Sequence, residues 1–225
     1  MDEEKLLIGI DLSTASEVLI ELIIEDAVDL SVYEEIARAN TRRPEILSLL
    51  LNSPETPDEV RALVSGMLMI PAKPKSEIAR AQKTPEVRSQ NILQRIQKLT
   101  VSEKIQLALR GGKEIRTILL RDPNKEVCLT VLENPKLTDT EVELIARSRS
   151  IPDEALRKIT KKKEWMKKYN VMLALLTNPK LPTGIALPLV NELKTKDLAL
   201  LEKNRNVSEG LRGTAKKILR ARKAH

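Results

Sequence analysis

Val127-Cys128-Leu129-Thr130-Val131-Leu132-Glu133-Asn134-Pro135-Lys136-Leu137 returns 44 residues later as Val171-Met172-Leu173-Ala174-Leu175-Leu176-Thr177-Asn178-Pro179-Lys180-Leu181, with seven of eleven positions identical. An apolar stretch that runs into Asn-Pro reads as a helix and its stop. Asparagine tolerates the left-handed conformation that ends helices, and the following proline prevents continuation. Thr138-Asp139 and Thr183 then offer side-chain oxygens to cap the next helix. A second related pair follows, Leu144 to Ile151 and Leu200 to Val207, at an offset of 56 residues. The later unit therefore carries about 12 extra residues, Pro182 to Leu193, enough for one short helix.

A looser relative lies near the N-terminus, where Leu47-Ser48-Leu49-Leu50-Leu51-Asn52-Ser53-Pro54-Glu55-Thr56-Pro57 keeps the apolar run, an Asn and a nearby Pro. The expected repeat junctions are thus Asn52 and Pro54, Asn134 and Pro135, and Asn178 and Pro179. Apolar residues at spacings of three and four mark further short helices: Ile115, Ile118 and Leu119; Ala155, Leu156 and Ile159; Leu211, Ala215, Ile218 and Leu219. Helices of two to four turns are marginal alone and must bury their apolar faces on neighbours. Stacking them predicts an all-α fold, an α-solenoid of short stacked helices.

The junctions Asn134-Pro135-Lys136-Leu137, Asn178-Pro179-Lys180-Leu181, Asn52-Ser53-Pro54-Glu55-Thr56-Pro57-Asp58-Glu59-Val60 and Asp122-Pro123-Asn124-Lys125-Glu126-Val127 resemble those of bacterial leucine-rich-repeat-variant and HEAT-like α-solenoid proteins. The resemblance covers residues 31–68 and 89–222. It implies a repeat scaffold for protein partners. It also implies a point of departure, because leucine-rich-repeat-variant proteins are associated with a Cys-ligated iron-sulfur cluster and here Cys128 stands alone.

Composition agrees with helices and narrows the chemistry. There is no Phe, one Trp, two Tyr and only seven Gly against twelve Pro, which is a poor inventory for sheets and hairpins. The only His is the terminal His225 and the only Cys is Cys128, so neither a His-based catalytic triad nor a zinc site can be assembled. The expectation is a protein with no enzymatic activity, no catalytic residues, no cofactor and no metal. One Cys and an acidic start, Met1-Asp2-Glu3-Glu4-Lys5, suit a cytoplasmic protein without a signal peptide. Glu17, Glu21 and Glu25 interrupt the longest apolar stretches, which argues against a membrane span.

The net charge of +7 conceals a division. Residues 1–60 hold 4 Lys/Arg and 15 Asp/Glu, whereas residues 61–225 hold 35 and 17. The predicted organisation is an acidic helical domain over 1–69, a linker over 70–88 containing Pro71, Pro74 and Pro85, and a basic helical-repeat domain over 89–225. Whether the linker is flexible or a bend is left open by sequence. Glu17, Glu21, Glu25 and Asp29 form an acidic stripe on a helix whose wide apolar face needs burial, either within the domain or in a homo-oligomer. The stripe and the basic half are also complementary to one another.

The candidate interaction patch is cationic. Arg157, Lys158, Lys161, Lys162, Lys163, Lys167 and Lys168 surround Trp165 and Tyr169, and Lys216, Lys217 and Arg220 stand near the end of the last helix. Two readings apply to the first group: phosphates and stacked bases, or a buried stripe of Trp165, Tyr169, Met172 and Leu176 beneath solvated lysines. The second group either complements the helix dipole or binds a partner. Gly111-Gly112-Lys113 lacks the spacing of a phosphate loop and reads as a helix stop. Asp139 and Glu143, one turn apart, read as surface charges. The leading expectation is a scaffold for a protein partner; the alternative is nucleic-acid binding by the basic half through phosphate contacts. A base-trapping glycosylase of HEAT-like type is the least supported, with one Trp and no Phe.

Overall fold

The computed structural model describes residues 11–27, 29–70 and 85–223, and all regular structure among them is helical. Packing divides the chain into two units, one up to Ile118 and one from Leu119 onward. The predicted all-α class holds for the described residues, and none of their helices is long and apolar enough to cross a membrane.

In the first unit, α1 (Glu17–Asp26), α2 (Leu30–Ala39), α3 (Pro44–Asn52) and α4 (Asp58–Leu68) are followed by α5 (Pro85–Lys98), α6 (Val101–Arg110) and α7 (Lys113–Leu119). Helix α1 carries the acidic stripe and sinks Leu19, Ile20, Leu22 and Ile24 completely, against α3, α5 and α6. Its apolar face is therefore satisfied inside the chain, and the ground for a homo-oligomer through this helix is removed. The stripe finds its counter-charge in Arg95 of α5, which reaches Glu21 at 2.7 Å and Glu25 at 2.8 Å. Asp29 departs from the stripe and stands at the N-cap of α2.

Of the expected linker, residues 71–84 lie outside the described residues, and Pro85 opens α5. Composition grouped residues 89–118 with the basic half, yet packing draws α5 and α6 to the acidic helices. Ile92, Ile96 and Leu99 are buried there, and Arg95 is held by the carboxylates of α1. The unit from Leu119 onward keeps 23 Lys/Arg against 13 Asp/Glu, a net of +10. The Gly111-Gly112 pair does end α6, but through close approach: a Cβ on Gly112 would overlap the Asp26 carboxylate that accepts its N–H.

The second unit comprises α8 (Lys125–Val131), α9 (Asp139–Arg147), α10 (Asp153–Lys161), the single turn α11 (Lys163–Met166), α12 (Tyr169–Thr177), α13 (Thr183–Leu189) with a 3-10 turn at Val190–Glu192, α14 (Thr195–Lys203) and α15 (Glu209–Lys223). One hydrophobic core joins them, from Cys128 and Leu132 through Trp165 and Leu175 to Leu211 and Leu219. The inserted segment is α13 with its 3-10 turn, anchored by buried Ala186, Val190 and Leu193.

The two copies of the quoted sequence form α8 and α12 with the junctions behind them, and the junction chemistry differs from the expected left-handed cap. Asn178 is extended, at φ −83° and ψ 123°, and so is Asn204, at φ −76° and ψ 105°. Each asparagine instead accepts the N–H two residues on: Lys136 to Asn134 at 2.9 Å, Lys180 to Asn178 at 3.0 Å, Asn206 to Asn204 at 3.0 Å. This turn points the next apolar residue inward, burying Leu181 and Val207. In the N-terminal unit Ser53 takes the equivalent place, accepting the N–H of Glu55 at 3.3 Å, while Asn52 is the last, exposed residue of α3. The expected junction at Asn52 is thus shifted by one residue, because it is Ser53 that precedes Pro54.

Asn178 does more than turn the chain. Its Nδ2 donates to the carbonyls of Ala146 at 2.7 Å and Ser148 at 3.0 Å, tying the end of α12 to the end of α9. Asn178→Ala leaves two inward carbonyls without a donor and is expected to lower stability by about 2–3 kcal/mol. Asn204→Ala, at a half-exposed site with one turn bond, should cost about 1 kcal/mol or less. Urea unfolding followed by the fluorescence of the single tryptophan, Trp165, compares them; equal losses would refute this role for Asn178.

Candidate interaction surface

The ten cations expected to form an interaction patch separate into two classes. Four are engaged, two of them capping the carbonyl end of a helix, where the dipole is negative. Lys158 donates to Leu129 O at 3.0 Å and pairs with Glu133, and Lys162 donates to Leu132 O at 2.8 Å. Arg157 pairs with Asp153 at 3.4 Å, and Lys168 with Asp139 at 2.6 Å. Glu143, the other carboxylate of that supposed surface pair, is held by Arg147 at 2.6 Å. Lys161, Lys163 and Lys167 are exposed and make no ion pair among the described residues.

The same holds for Lys216, Lys217 and Arg220 on α15, whereas neighbouring Arg222 is structural and donates to Asn191 O at 2.8 Å and Leu193 O at 2.7 Å. From Gly210 onward there are six Lys/Arg and no Asp/Glu. The two free cationic groups lie on different helices, α10 with α11 and α15.

Trp165 is 8% exposed and belongs to the core, with Met172 and Leu176. The ammonium of Lys162 sits 4.1 Å from its ring centroid and occupies the remaining face. Three members of the predicted stripe are buried and Tyr169 is half-buried, and the stripe is not one helix: the backbone breaks at Lys167-Lys168, so Trp165 belongs to α11 and Tyr169 to α12. Tyr169 turns its hydroxyl to the Asp197 carboxylate and accepts the Lys194 N–H at 3.0 Å. No ring of this run is presented for base stacking.

An open groove of about 650 Å³ lies between the starts of α8 and α10, lined by Arg121, Lys125, Asp153, Glu154 and Cys128 among others. Lys125 lies 2.8 Å from Glu154 and holds that carboxyl down at about 2. Burial, reinforced by the charge of Asp122, pushes the Cys128 thiol up to about 11, so at neutral pH it is a thiol and a poor nucleophile. Among the described residues, no three His, Cys, Asp or Glu converge on a shared metal position.

A different surface went unread in the sequence. Leu144 of α9 and Leu200 of α14, which correspond in the two sequence copies, are 60% and 61% exposed. Beside Leu200 is a narrow groove of about 220 Å³ between α12 and α14, walled by Leu173, Ala174, Thr177, Leu200 and Leu201 and bordered by Arg147 of α9, one turn after Leu144. The signal was present, since Leu144 and Leu200 head aligned stretches, but helical periodicity alone assigns such leucines to a core. No protein-family model matches the chain, and neither does any curated protein or solved structure.

Proposed function

We propose that the chain is a non-enzymatic helical-repeat scaffold, an α-solenoid of the bacterial leucine-rich-repeat-variant or HEAT-like kind, that works in the cytoplasm by binding a protein partner. The observation that carries this reading is the recurrence of one turn at Asn134, Asn178 and Asn204, behind α8, α12 and α14, together with the exposure of equivalent leucines, Leu144 and Leu200. Identical turns between short amphipathic helices are how repeat proteins stack units, and exposed apolar side chains at matching positions are how they meet partners.

A second reading rests on a separate observation: Lys161, Lys163, Lys167, Lys216, Lys217 and Arg220 carry charge that no carboxylate among the described residues neutralises. Phosphate contact by these cations would bind nucleic acid with little sequence preference. One experiment separates the two. A tagged full-length chain, recovered from parallel lysates of its source cells with and without nuclease treatment, is expected to retain a stoichiometric protein partner in both. Recovery of nucleic acid without protein, together with duplex DNA binding that weakens by about 10³-fold or more between 50 mM and 200 mM salt, would overturn the scaffold reading in favour of the second.

A further inference from the structure

We propose that the surface shared by α9, α12 and α14 is the docking site for an acidic amphipathic helix of the partner protein. The proposal rests on the scaffold reading and specifies which face binds and what chemistry it takes.

Single exposed leucines are ordinary on protein surfaces, so exposure alone decides nothing. Three features together single out this face. Leu144 and Leu200 occupy the same position in two copies of the repeat and are equally exposed, which places one apolar knob on α9 and another on α14. Half-buried Leu173 of α12 lines the groove beside Leu200, and Arg147, one turn after Leu144 on the same face of α9, borders it. The groove itself, about 220 Å³, has room for one large apolar side chain. Two apolar knobs with a slot beside one of them suit a helix that presents apolar residues at i, i+3 or i+4, and i+7.

The sign of the partner follows from what remains unpaired around the leucines. Lys196 and Lys203 flank Leu200 four residues before and three after it, both exposed and without an ion partner among the described residues. Of the carboxylates nearby, Glu143 is paired with Arg147 at 2.6 Å, while Asp197 in the groove wall accepts the neutral Tyr169 hydroxyl and keeps its charge, so two free lysines stand against one carboxylate and the rim is net positive. The uncompensated charge on the rim is positive, so the polar face of the incoming helix is acidic.

Three labelled helical peptides with full-length protein test this by fluorescence anisotropy: a Leu/Glu/Ala amphipathic peptide, the same apolar pattern with Lys for Glu, and the acidic composition scrambled. The acidic amphipathic peptide is expected to bind at least about tenfold more tightly than either control, and Leu144→Asp with Leu200→Asp should weaken it by about tenfold or more. Both positions are exposed, and an unchanged urea midpoint for the double variant verifies its fold. Equal binding of the acidic and basic peptides, or an unaffected double variant, overturns the proposal. Sedimentation showing a wild-type dimer that the double variant abolishes also overturns it, assigning the face to a second copy of this chain. If the double variant still retains the wild-type's partner from a lysate, the face is wrong and the scaffold reading survives; if neither retains a protein, the scaffold reading falls with it.

Discussion

Arg61→Ala is expected to destabilise the N-terminal unit by about 3–5 kcal/mol, a large share of the stability of an ordinary domain. The Arg61 side chain is only 3% exposed and lies with its guanidinium under the junction between α3 and α4. Nε donates to Thr56 O at 3.0 Å, one terminal nitrogen to Leu51 O at 3.0 Å and the other to Ser53 O. Three carbonyls that end a helix and begin a turn are thereby closed by one planar, permanently charged group. Alanine strips all three at once and leaves the space of the side chain behind. Arg61→Met restores most of the volume without donors and should remain about 2–3 kcal/mol less stable than the native chain, which separates hydrogen bonding from packing. Residue-resolved hydrogen exchange reads the result, with protection lost in α3 and α4 and kept in α12 and α14. A methionine variant as stable as the native protein would refute the capping role.

The contrast between Arg61 and Asn178 marks where sequence was informative. The recurrence of Asn-Pro-Lys-Leu made the helix stops legible, and with them the all-helical class. What it concealed was the conformation, because asparagine serves both as a left-handed cap and as the acceptor in an extended turn, and only the backbone distinguishes them. Among the described residues just one non-glycine adopts positive φ, Met69 at 54°, and it stands at none of the junctions. Arg61 was illegible for another reason. Its partners are backbone atoms five to ten residues upstream, and carbonyls have no residue identity for a sequence pattern to reveal. Arg95 was half legible: opposite charges in the two halves suggested complementarity, but not that one arginine of α5 would join Glu21 and Glu25 in a single unit. The proposed docking face was hardest to see, since Leu144 and buried Ile145 are adjacent residues of one type and only the packing of α9 on α12 decides which of them meets water.

Trp165→Ala carries the other large expected effect, a loss of about 3–5 kcal/mol, and it bears directly on what the lysines around it do. If the indole were a stacking platform for bases, its removal would weaken nucleic-acid binding and leave the fold intact. Its placement in one core with Ile159 and Met172, with the Lys162 ammonium over the ring and that lysine in turn tied to Leu132 O, predicts the reverse. Truncation opens a cavity in the core and removes the ring that Lys162 covers, so the turn at α11 loses its apolar anchor. Trp165→Phe keeps the ring but not its full area and should cost about 1–2 kcal/mol. Urea unfolding followed by circular dichroism measures both variants. Fluorescence of the native chain supplies the complementary test: emission should be shifted to the blue, resist acrylamide and stay unchanged when duplex DNA is added at 50 mM salt, because any phosphate contact made by Lys161, Lys163 and Lys167 leaves a covered ring untouched. A stable Trp165→Ala variant whose DNA binding collapses would return the tryptophan to the surface and the protein to the nucleic-acid reading.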